Sequence, residues 1–296
     1  MSAAPFPAAR AVPSPIAVGK VTLRFDTPVL MGVLNATPDS FSDGGSLLTI
    51  DDAVRRAEEQ VEAGATILDV GGESTRPGAA PVDSETEIAR VLKVITAIDW
   101  HNFPVAISID TAKADVARAA LEHGATIVND VTALRDPAMG PMVARHGAAL
   151  VLMHMRGEPR TMQQGEVHYD DVVAEVHGHL ASAVERAVAA GVGRERILVD
   201  PGIGFGKTLA HNLALTRGLG NLASLGRPVV YGPSRKRFLG ELTGHEVGDR
   251  DRATAAACVA AVLAGAHVLR VHDVAAIRDA VLVATALRDV PLRGAS

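Results

Sequence analysis

Polar residues recur at the ends of short apolar runs in this 296-residue sequence. Eight runs rich in Val, Ile and Leu are each followed by residues that ionise or form hydrogen bonds. These residues are Asn35, the stretch from Asp69 to Glu73, Asp110, Asn129 with Asp130, His154, Asp200, Ser234 and His272. Their side chains suit acid–base chemistry, recognition of a polar ring, and contacts with anions or metals. If the runs are parallel strands of one barrel, their carboxyl ends share a rim and predict one composite site.

The apolar runs predict eight strands. They are short, rich in β-branched residues and mostly not alternating, which is typical of strands buried on both faces of a parallel sheet. The predicted strands cover residues 29–34, 66–70, 105–109, 126–128, 148–153, 196–199, 228–231 and 267–271.

Segments with helical periodicity separate the predicted strands. The clearest carries apolar residues four apart from Val172 to Val188. Another opens at Ser84, with Glu87 three residues later, which predicts a capping box. Several predicted helices end at a glycine, where the left-handed closing conformation is accessible. These glycines are Gly64, Gly124, Gly147, Gly191 and Gly265.

The strand–helix rhythm predicts an α/β fold, namely a (β/α)8 TIM barrel, since eight units in about 270 residues fit that size. An open doubly wound sheet has the same periodicity, which by itself does not separate the two folds. Residues 1–20 are rich in Ala and Pro and are predicted to be a disordered tail. Residues 21–296 are predicted to be one domain, with an extra strand at 21–25 that covers the barrel floor.

Composition narrows the functional classes. The chain has 29 Lys and Arg against 34 Asp and Glu, a formal net charge of -5, which argues against a nucleic-acid binder. Its single cysteine, Cys258, excludes a disulfide framework and a thiolate zinc cage within this sequence. The longest apolar run, residues 253–266, is shorter than the roughly 18 residues of a membrane span. These features favour a cytoplasmic protein without a membrane partner.

Three familiar motifs fail on inspection. The segment from Gly202 to Thr208 resembles a phosphate-binding loop, but Pro201 occupies the position of that loop's first glycine. The same segment also fails the dinucleotide-binding pattern G-x-G-x-x-G, because Lys207 occupies the position of its third glycine. His245-Glu246 lacks the second histidine of a zinc protease. His177 and His179 lie two apart on a predicted helix, so they diverge, and we expect both on the solvated surface.

Seven segments, in chain order, resemble the signatures of the dihydropteroate synthase family. The resemblance runs from about Val29 to Asp273 and falls on seven of the eight strand ends. The segments are Met31-Gly-Val-Leu-Asn35-Ala-Thr-Pro-Asp-Ser-Phe-Ser-Asp-Gly-Gly45, Asp69-Val-Gly-Gly-Glu-Ser-Thr-Arg-Pro-Gly78, Ser108-Ile-Asp110-Thr111, Asn129-Asp130, Asp200-Pro-Gly-Ile-Gly-Phe-Gly-Lys207, Ser234-Arg-Lys-Arg-Phe-Leu-Gly240 and Arg270-Val-His272.

The resemblance implies a (β/α)8 barrel and a transferase of folate biosynthesis. Family members condense 6-hydroxymethyl-7,8-dihydropterin diphosphate with p-aminobenzoate, giving 7,8-dihydropteroate and diphosphate. It also implies Mg2+ as the cofactor, a homodimer, and sulfonamides as competitors of p-aminobenzoate. We expect a dissociative substitution, because the electron-rich dihydropterin ring delocalises a cation at the attacked carbon.

The resemblance also implies roles for individual residues. The implied pterin site is Asp110, Asn129, Met153, Asp200 and Lys236. The implied diphosphate site is Asn35, Arg270 and His272, with Mg2+ at Asn35. The implied p-aminobenzoate site is Phe41, Thr75, Arg76, Pro77, Phe205, Ser234 and Lys236, with Phe205 as an exposed aromatic in its glycine-rich turn. The implied catalytic residues are Asp110, which faces the pterin cation, Lys236, and Asp43, which closes over the site with Phe41.

Three other functions remain open at this point. A non-catalytic pterin-binding relative would share the barrel and the pterin site. A methyltetrahydrofolate methyltransferase would also bind a pterin, but it would not need the Thr75-Arg76-Pro77 or Ser234-Arg235-Lys236 segments. A barrel lyase or aldolase would need a Schiff-base lysine, whereas Lys236 lies between two arginines, as expected of an anion or carbonyl clamp. Pro233 departs from the family pattern and removes a backbone donor beside Ser234.

Overall fold

The computed structural model describes residues 12–36, 49–74, 78–157, 162 and 167–290. Its strands are β1 (Ile16–Val18), β2 (Val21–Leu23), β3 (Val29–Asn35), β4 (Ile67–Gly71), β5 (Ala106–Asp110), β6 (Ile127–Asp130), β7 (Ala149–Met153), β8 (Ile197–Asp200), β9 (Val230–Tyr231) and β10 (Val268–Val271). Its helices are α1 (Ile50–Glu62), α2 (Ser84–Trp100), α3 (Ala114–Glu122), α4 (Met139–His146), α5 (Val172–Ala189), α6 (Leu209–Arg217), α7 (Leu219–Leu222), α8 (Arg237–Thr243), α9 (Asp251–Ala264) and α10 (Ala275–Asp289). All eight strands predicted in residues 29–271 are present, with ends shifted by at most two residues.

Strands β3 to β10 form a parallel barrel. Consecutive strands pair from β3 to β8 and from β9 to β10, and the last strand, β10, pairs with the first, β3. The remaining seam between β8 and β9 carries a bridge from Val199 to Val229 and a hydrogen bond from Val199 N to Pro228 O of 3.0 Å. A doubly wound sheet would leave its first and last strands unpaired with each other, so the predicted barrel is confirmed and the open sheet is excluded.

The helices pack around the barrel and confirm most of the predicted signals. The apolar stripe of α5 is buried at Val172, Val176, Leu180 and Val184. The five predicted closing glycines all have positive φ, between 60° and 107°. The main apolar core lies between these helices and the outer faces of the strands. No helix within the described ranges is long and apolar enough to cross a membrane.

The predicted capping box of α2 is wrong. The helix begins one residue earlier than that box requires, at Ser84, and the cap is Asp83, whose carboxylate accepts from the Thr86 amide at 2.8 Å. Glu87 is 1% exposed and instead binds the ammonium of Lys113 at 2.6 Å. A buried ion pair therefore recruits the glutamate that the local pattern assigns to the helix end.

An antiparallel hairpin closes the bottom of the barrel. Strands β1 and β2 pair from Ile16 with Leu23 to Val18 with Val21. Their buried side chains and Phe25 pack against residues at the amino ends of the barrel strands, namely Val29, Met31, Ile67, Ala106, Ile127, Ala149, Leu198, Val230 and Val268. The predicted floor strand is thus confirmed. The predicted disorder is wrong for residues 16–20, because burial of Ile16 and Val18 offsets the entropy of ordering them.

Candidate active site

The carboxyl ends of the strands surround a cavity of about 930 Å3. Seven residues singled out from the sequence line it: Asn35, Asp110, Phe205, Ser234, Lys236, Arg270 and His272. Asn129, Met153 and Asp200 lie buried at the ends of adjacent strands, where Asp110 pairs with Asn129 and Met153 with Asp200. Phe41, Asp43, Thr75, Arg76 and Pro77 lie outside the described residues.

Two buried carboxylates hold the side chain of Arg270. Its Nε donates to Asp69 Oδ2 at 2.7 Å, and its Nη2 donates to Asp110 Oδ2 at 2.6 Å. The same Asp69 oxygen accepts from Asn129 Nδ2 at 3.3 Å. Four strands, β4, β5, β6 and β10, thereby contribute to one bonded group. Arg270 keeps three of its five N–H groups for other partners.

Burial controls the ionisation of this group. It raises the pKa of Asp110 to about 7, with Arg270 opposing the rise and Asp69 adding to it. Burial acts to lower the pKa of Arg270, but Asp69 and Asp110 outweigh it, so the pKa rises and the guanidinium stays charged. The cation therefore decides how much negative charge Asp110 carries near neutral pH.

Lys236 reaches the same cavity from the loop after β9, the strand beside β10. Its ammonium donates to the carbonyl of Ile203 and lies 4.3 Å from the ring centre of Phe205, a cation–π contact. Burial lowers the pKa of Lys236 to about 7, against the attraction of Asp200. Burial raises the pKa of Asp200, whose Oδ1 accepts from the Gly202 amide at 2.7 Å. The lysine thus faces the cavity with neutral partners at hydrogen-bond distance.

The basic run Arg235-Lys236-Arg237 splits in three directions. Arg235 has a positive φ of 58°, and its fork binds both carboxylate oxygens of Asp251 at 2.8 Å. Arg237 is exposed and binds Glu241 at 2.6 Å. All three side chains line the cavity, but because the arginines are already paired with carboxylates, Lys236 is the cation of the run that is available to a ligand.

Phe205 is buried, which corrects the expectation of an exposed aromatic. It is 9% exposed and packs with Val131, Met153, Met155 and Met162. Its turn contains three glycines with positive φ, of which Gly202 lies so close to the carbonyl of His154 that a Cβ would approach to 1.8 Å. The glycines therefore let the turn press against the loop after β7.

Comparisons with known proteins agree with this site. The family model described as pterin binding enzyme matches residues 31–272. The dihydropteroate synthase of Mycobacterium leprae is 48% identical over 261 residues, which cover 86% of this chain and 91% of that protein. The chain belongs to the dihydropteroate synthase family. It is accordingly an enzyme of the transferase class.

Solved structures of the family share the fold. The dihydropteroate synthase of Yersinia pestis, solved with a sulfonamide drug, superposes with a TM-score of 0.89 at 39% identity and covers 94% of this chain and 100% of that one. The Xanthomonas albilineans enzyme, solved in complex with 7,8-dihydropteroate, has a TM-score of 0.82 at 44% identity and covers 91% of this chain and 97% of that one.

Ser234 is engaged with His272. Its Oγ accepts from the His272 amide at 3.1 Å and lies 3.0 Å from His272 Nδ1. Gln60 of α1 also fixes this corner, with its Nε2 donating to His272 O at 2.7 Å and its Oε1 accepting from Val274 N at 3.0 Å. The loop after β10 is thus tied to β9 and to α1, which orients the His272 ring.

His179 does not lie on the solvated surface, contrary to expectation. Its ring meets that of His154 edge to face, with centres 4.8 Å apart, and burial lowers its pKa. His177 does lie near the surface and contacts the Ser224 hydroxyl at 3.0 Å. The two rings diverge as predicted, but helix α5 turns one of them inward.

Sequence reasoning missed three structural members of the site. The sequence marks Asp69 only as one of several polar strand-end residues, although a carboxylate inside a buried apolar run is itself a signal of a cation nearby. Gln60 gives no signal beyond a polar residue in a helix. Lys207 is 3% exposed, and the sequence marks it only as part of an incomplete phosphate-loop pattern.

Proposed function

We propose that this barrel joins 6-hydroxymethyl-7,8-dihydropterin diphosphate to p-aminobenzoate, forming 7,8-dihydropteroate and releasing diphosphate, by a dissociative substitution. The observation that carries the proposal is the single cavity that Asp110, Arg270, His272, Asn35 and Lys236 line together. It places carboxylates, cations and an amide around a space large enough for both substrates. Membership of the dihydropteroate synthase family supports the same reaction.

The pterin binds at Asp200, Asn129 and Asp110, with Lys236 on its acceptor atoms and Met153 against the ring. The pterin edge carries an amine and a ring N–H, which a carboxylate accepts side by side. Asp200 is 5% exposed and is fixed by the Gly202 amide, so its oxygens need no rearrangement on binding. In such poorly solvated surroundings hydrogen bonds to a charged acceptor are strong.

The diphosphate binds at Arg270, His272 and Asn35 together with Mg2+. The residues fit this ion. Asn35 Oδ1 and Asp110 Oδ2 both face Gly71, where a Cβ would lie 3.9 Å and 3.8 Å from them, so two oxygens lie near the same point. The described residues contain no cluster of three His, Cys, Asp or Glu side chains around a metal position. Mg2+ commonly combines few protein ligands with substrate phosphates, and when bound it offsets charge on the leaving group.

In the substitution, the C–O bond to diphosphate breaks first and diphosphate keeps the electron pair. The pterin carbon becomes a cation delocalised over the ring, and the p-aminobenzoate nitrogen attacks it and then loses a proton. Asp110, held by Arg270 at 2.6 Å, stabilises the cation electrostatically. Such fixed stabilisation is typically worth about 3–4 kcal/mol. The aniline is already unprotonated near neutral pH, so a strong general base is not needed.

The p-aminobenzoate binds between Phe205, Ser234 and Lys236, where sulfonamides compete for the same place. Phe41, Thr75, Arg76, Pro77 and Asp43 complete and cover this site in the proposal. The contact between the Lys236 ammonium and the Phe205 ring joins an apolar wall to a cation. An aromatic acid needs an apolar wall for its ring and a cation for its carboxylate.

A diphosphate-release assay tests the function. Dihydropterin diphosphate and Mg2+ are supplied with and without p-aminobenzoate, to the wild type, Lys236→Ala and the control Lys93→Ala, which changes an exposed lysine of α2. We expect release that depends on p-aminobenzoate, survives in the control and is lost in Lys236→Ala. Pterin binding without release would instead identify a non-catalytic pterin-binding relative.

The chain is further proposed to work as a homodimer in the cytoplasm. Helix α10 and the residue after it expose Leu282, Val283, Leu287 and Val290, each by 57–60%. Val283, Leu287 and Val290 are spaced to form one stripe on the helix, which a second copy can cover. Sedimentation should show a dimer for the wild type and a monomer for Leu287→Glu. A monomeric wild type would contradict the proposed dimer but would not bear on the proposed reaction.

A further inference from the structure

A buried lysine lies beside Phe205 at the edge of the cavity. Lys207 is 3% exposed, and its ammonium has three neighbours: His154 Nδ1 at 3.0 Å, Phe205 O at 3.0 Å and His154 O at 3.4 Å. None of its hydrogen-bond partners among the described residues is a carboxylate. A buried ammonium without a directly bonded counter-ion is unfavourable, so simple packing does not account for it.

The neighbours of Lys207 are acceptors that converge. Burial, followed by the charge of Lys207, lowers the pKa of His154 to about 3, so its imidazole is neutral and Nδ1 can accept from the ammonium. The other two partners are main-chain carbonyls from different loops, one after β7 and one after β8. Without a donor between them, these carbonyls would be buried and unpaired. The ammonium therefore ties the two loops together.

The tie fixes the residue whose ring faces the cavity. Phe205 supplies the bonded carbonyl, and its ring contacts the ammonium of Lys236 on the other side. Neighbouring bonds hold the rest of the turn: Gly204 N donates to Asn212 Oδ1 at 2.8 Å, and Tyr169 donates to Gly206 O at 3.1 Å. Lys207 thus restrains the turn at the position that sets the direction of the aromatic ring.

We propose that Lys207 is a positioning residue of the p-aminobenzoate pocket: by joining His154 to the Phe205 carbonyl, it holds the Phe205 ring against Lys236. This inference rests on the proposed function, in which Phe205 contacts p-aminobenzoate. Lys207 acts through Phe205 rather than on the reacting atoms. Its loss therefore affects one substrate more than the other.

Steady-state kinetics of Lys207→Met test the proposal, because methionine fills similar volume without a donor. We expect the KM for p-aminobenzoate to rise about tenfold, the loss of roughly one well-placed hydrogen bond. We expect kcat and the KM for dihydropterin diphosphate to change less than about twofold. Lys207→Gln keeps an amide donor and should fall between wild type and Lys207→Met. Lys93→Met, on the exposed face of α2, is the matched control.

A double-mutant cycle decides whether the effect passes through Phe205. In a Phe205→Leu background, Lys207→Met should raise the KM for p-aminobenzoate by less than about twofold, because the ring to be positioned is gone. Additive effects, an unchanged KM in Lys207→Met, or equal rises for both substrates would overturn the proposal.

Hydrogen exchange separates this proposal from the proposed function. The peptide that spans residues 201–207 should exchange faster in Lys207→Met than in wild type or Lys93→Met, whether or not the protein turns over. If the wild type were inactive but exchange were faster in Lys207→Met, the proposed reaction would be contradicted while the positioning role of Lys207 would still hold. Unchanged exchange would overturn the positioning role even in an active enzyme.

Discussion

The cavity has a carboxylate side and a lysine side, and buried charge is stabilised differently on each. On the carboxylate side, formed by Asp69, Asp110 and Arg270, opposite charges meet at 2.6–2.7 Å. On the lysine side, formed by Lys207 and Lys236, the ammonium groups bind main-chain carbonyls, a neutral imidazole and an aromatic ring. Asp200 acts on both lysines through space, raising their pKa values against burial.

The difference implies different roles: the carboxylate side forms a fixed internal structure, and the lysine side offers charge to a ligand. On the carboxylate side Arg270 is already bound to both carboxylates before a ligand arrives, which suits a fixed electrostatic environment for a transition state. Asp69 Oδ1 and Asp110 Oδ1 have no hydrogen-bond partner among the described residues. Below about pH 7 the lysine side carries positive charge that its neutral partners do not cancel. It therefore suits anionic or carbonyl-bearing ligands, and the burial that lowers both lysine pKa values to about 7 makes ligand charge more effective there.

The largest expected effect comes from removing the cation of the carboxylate side. Arg270→Met leaves Asp69 and Asp110 buried without their partner, so we expect a loss of about 3–5 kcal/mol in the free energy of unfolding. Turnover should fall by about 10²–10³-fold. Urea unfolding and the diphosphate-release assay measure the two effects. The matched control, Arg118→Met, breaks an exposed pair with Asp115 and should leave stability nearly unchanged. Equal effects of both changes would show that burial does not distinguish the pairs.

A smaller effect should follow when one carboxylate is neutralised without loss of shape. Asp69→Asn keeps an acceptor for Arg270 Nε but removes the charge that strengthens the bond. We expect kcat/KM for the pterin substrate to fall about 10–100-fold, the equivalent of one charge-assisted hydrogen bond. Asp115→Asn, in the exposed pair with Arg118, serves as control and should leave kcat/KM unchanged. Wild-type kinetics in Asp69→Asn would mean that Asn129 and Asp110 position Arg270 without it.

A third effect should appear on the lysine side, in the pH dependence of stability. Burial lowers the pKa of Lys207 from 10.5 to about 7, so between these values the unfolded chain binds a proton that the folded chain does not. Raising the pH from 7 to 10 therefore stabilises the folded wild type through this group, and the contribution is lost as the pH falls through about 7. Lys207→Met lacks it. Urea unfolding at several pH values should show wild type gaining stability over the variant as pH rises, and a constant difference would contradict the shift.

The barrel and its polar rim were predictable because both follow from local patterns. Each apolar run ends in a polar residue, and parallel strands bring those ends together whatever the loops do. The partners of each side chain were not predictable in the same way. That Arg270 binds Asp69, 201 positions away in sequence, or that Ser234 binds His272, depends on barrel closure and register.

Other departures show side-chain contacts overriding local preference. Glu87 leaves its expected capping position for Lys113. Leu134 adopts a left-handed φ of 67°, where glycine is common, and Asp130 Oδ2 accepts its amide at 2.7 Å. Such strain costs roughly 1–3 kcal/mol and persists only where surrounding bonds fix it. Sequence periodicity carries no record of those bonds.

The hairpin β1–β2 has a consequence for the order in which ligands move. Its apolar side chains fill the amino end of the barrel, so the described residues leave the carboxyl end as the way in and out. On the proposed assignment, the pterin lies deeper, beside the buried Asn129 and Asp200, and p-aminobenzoate lies nearer the mouth. Because both ligands use the same opening, the pterin substrate has to bind first, and it cannot leave while p-aminobenzoate is bound. Substrate addition should therefore follow a compulsory sequence.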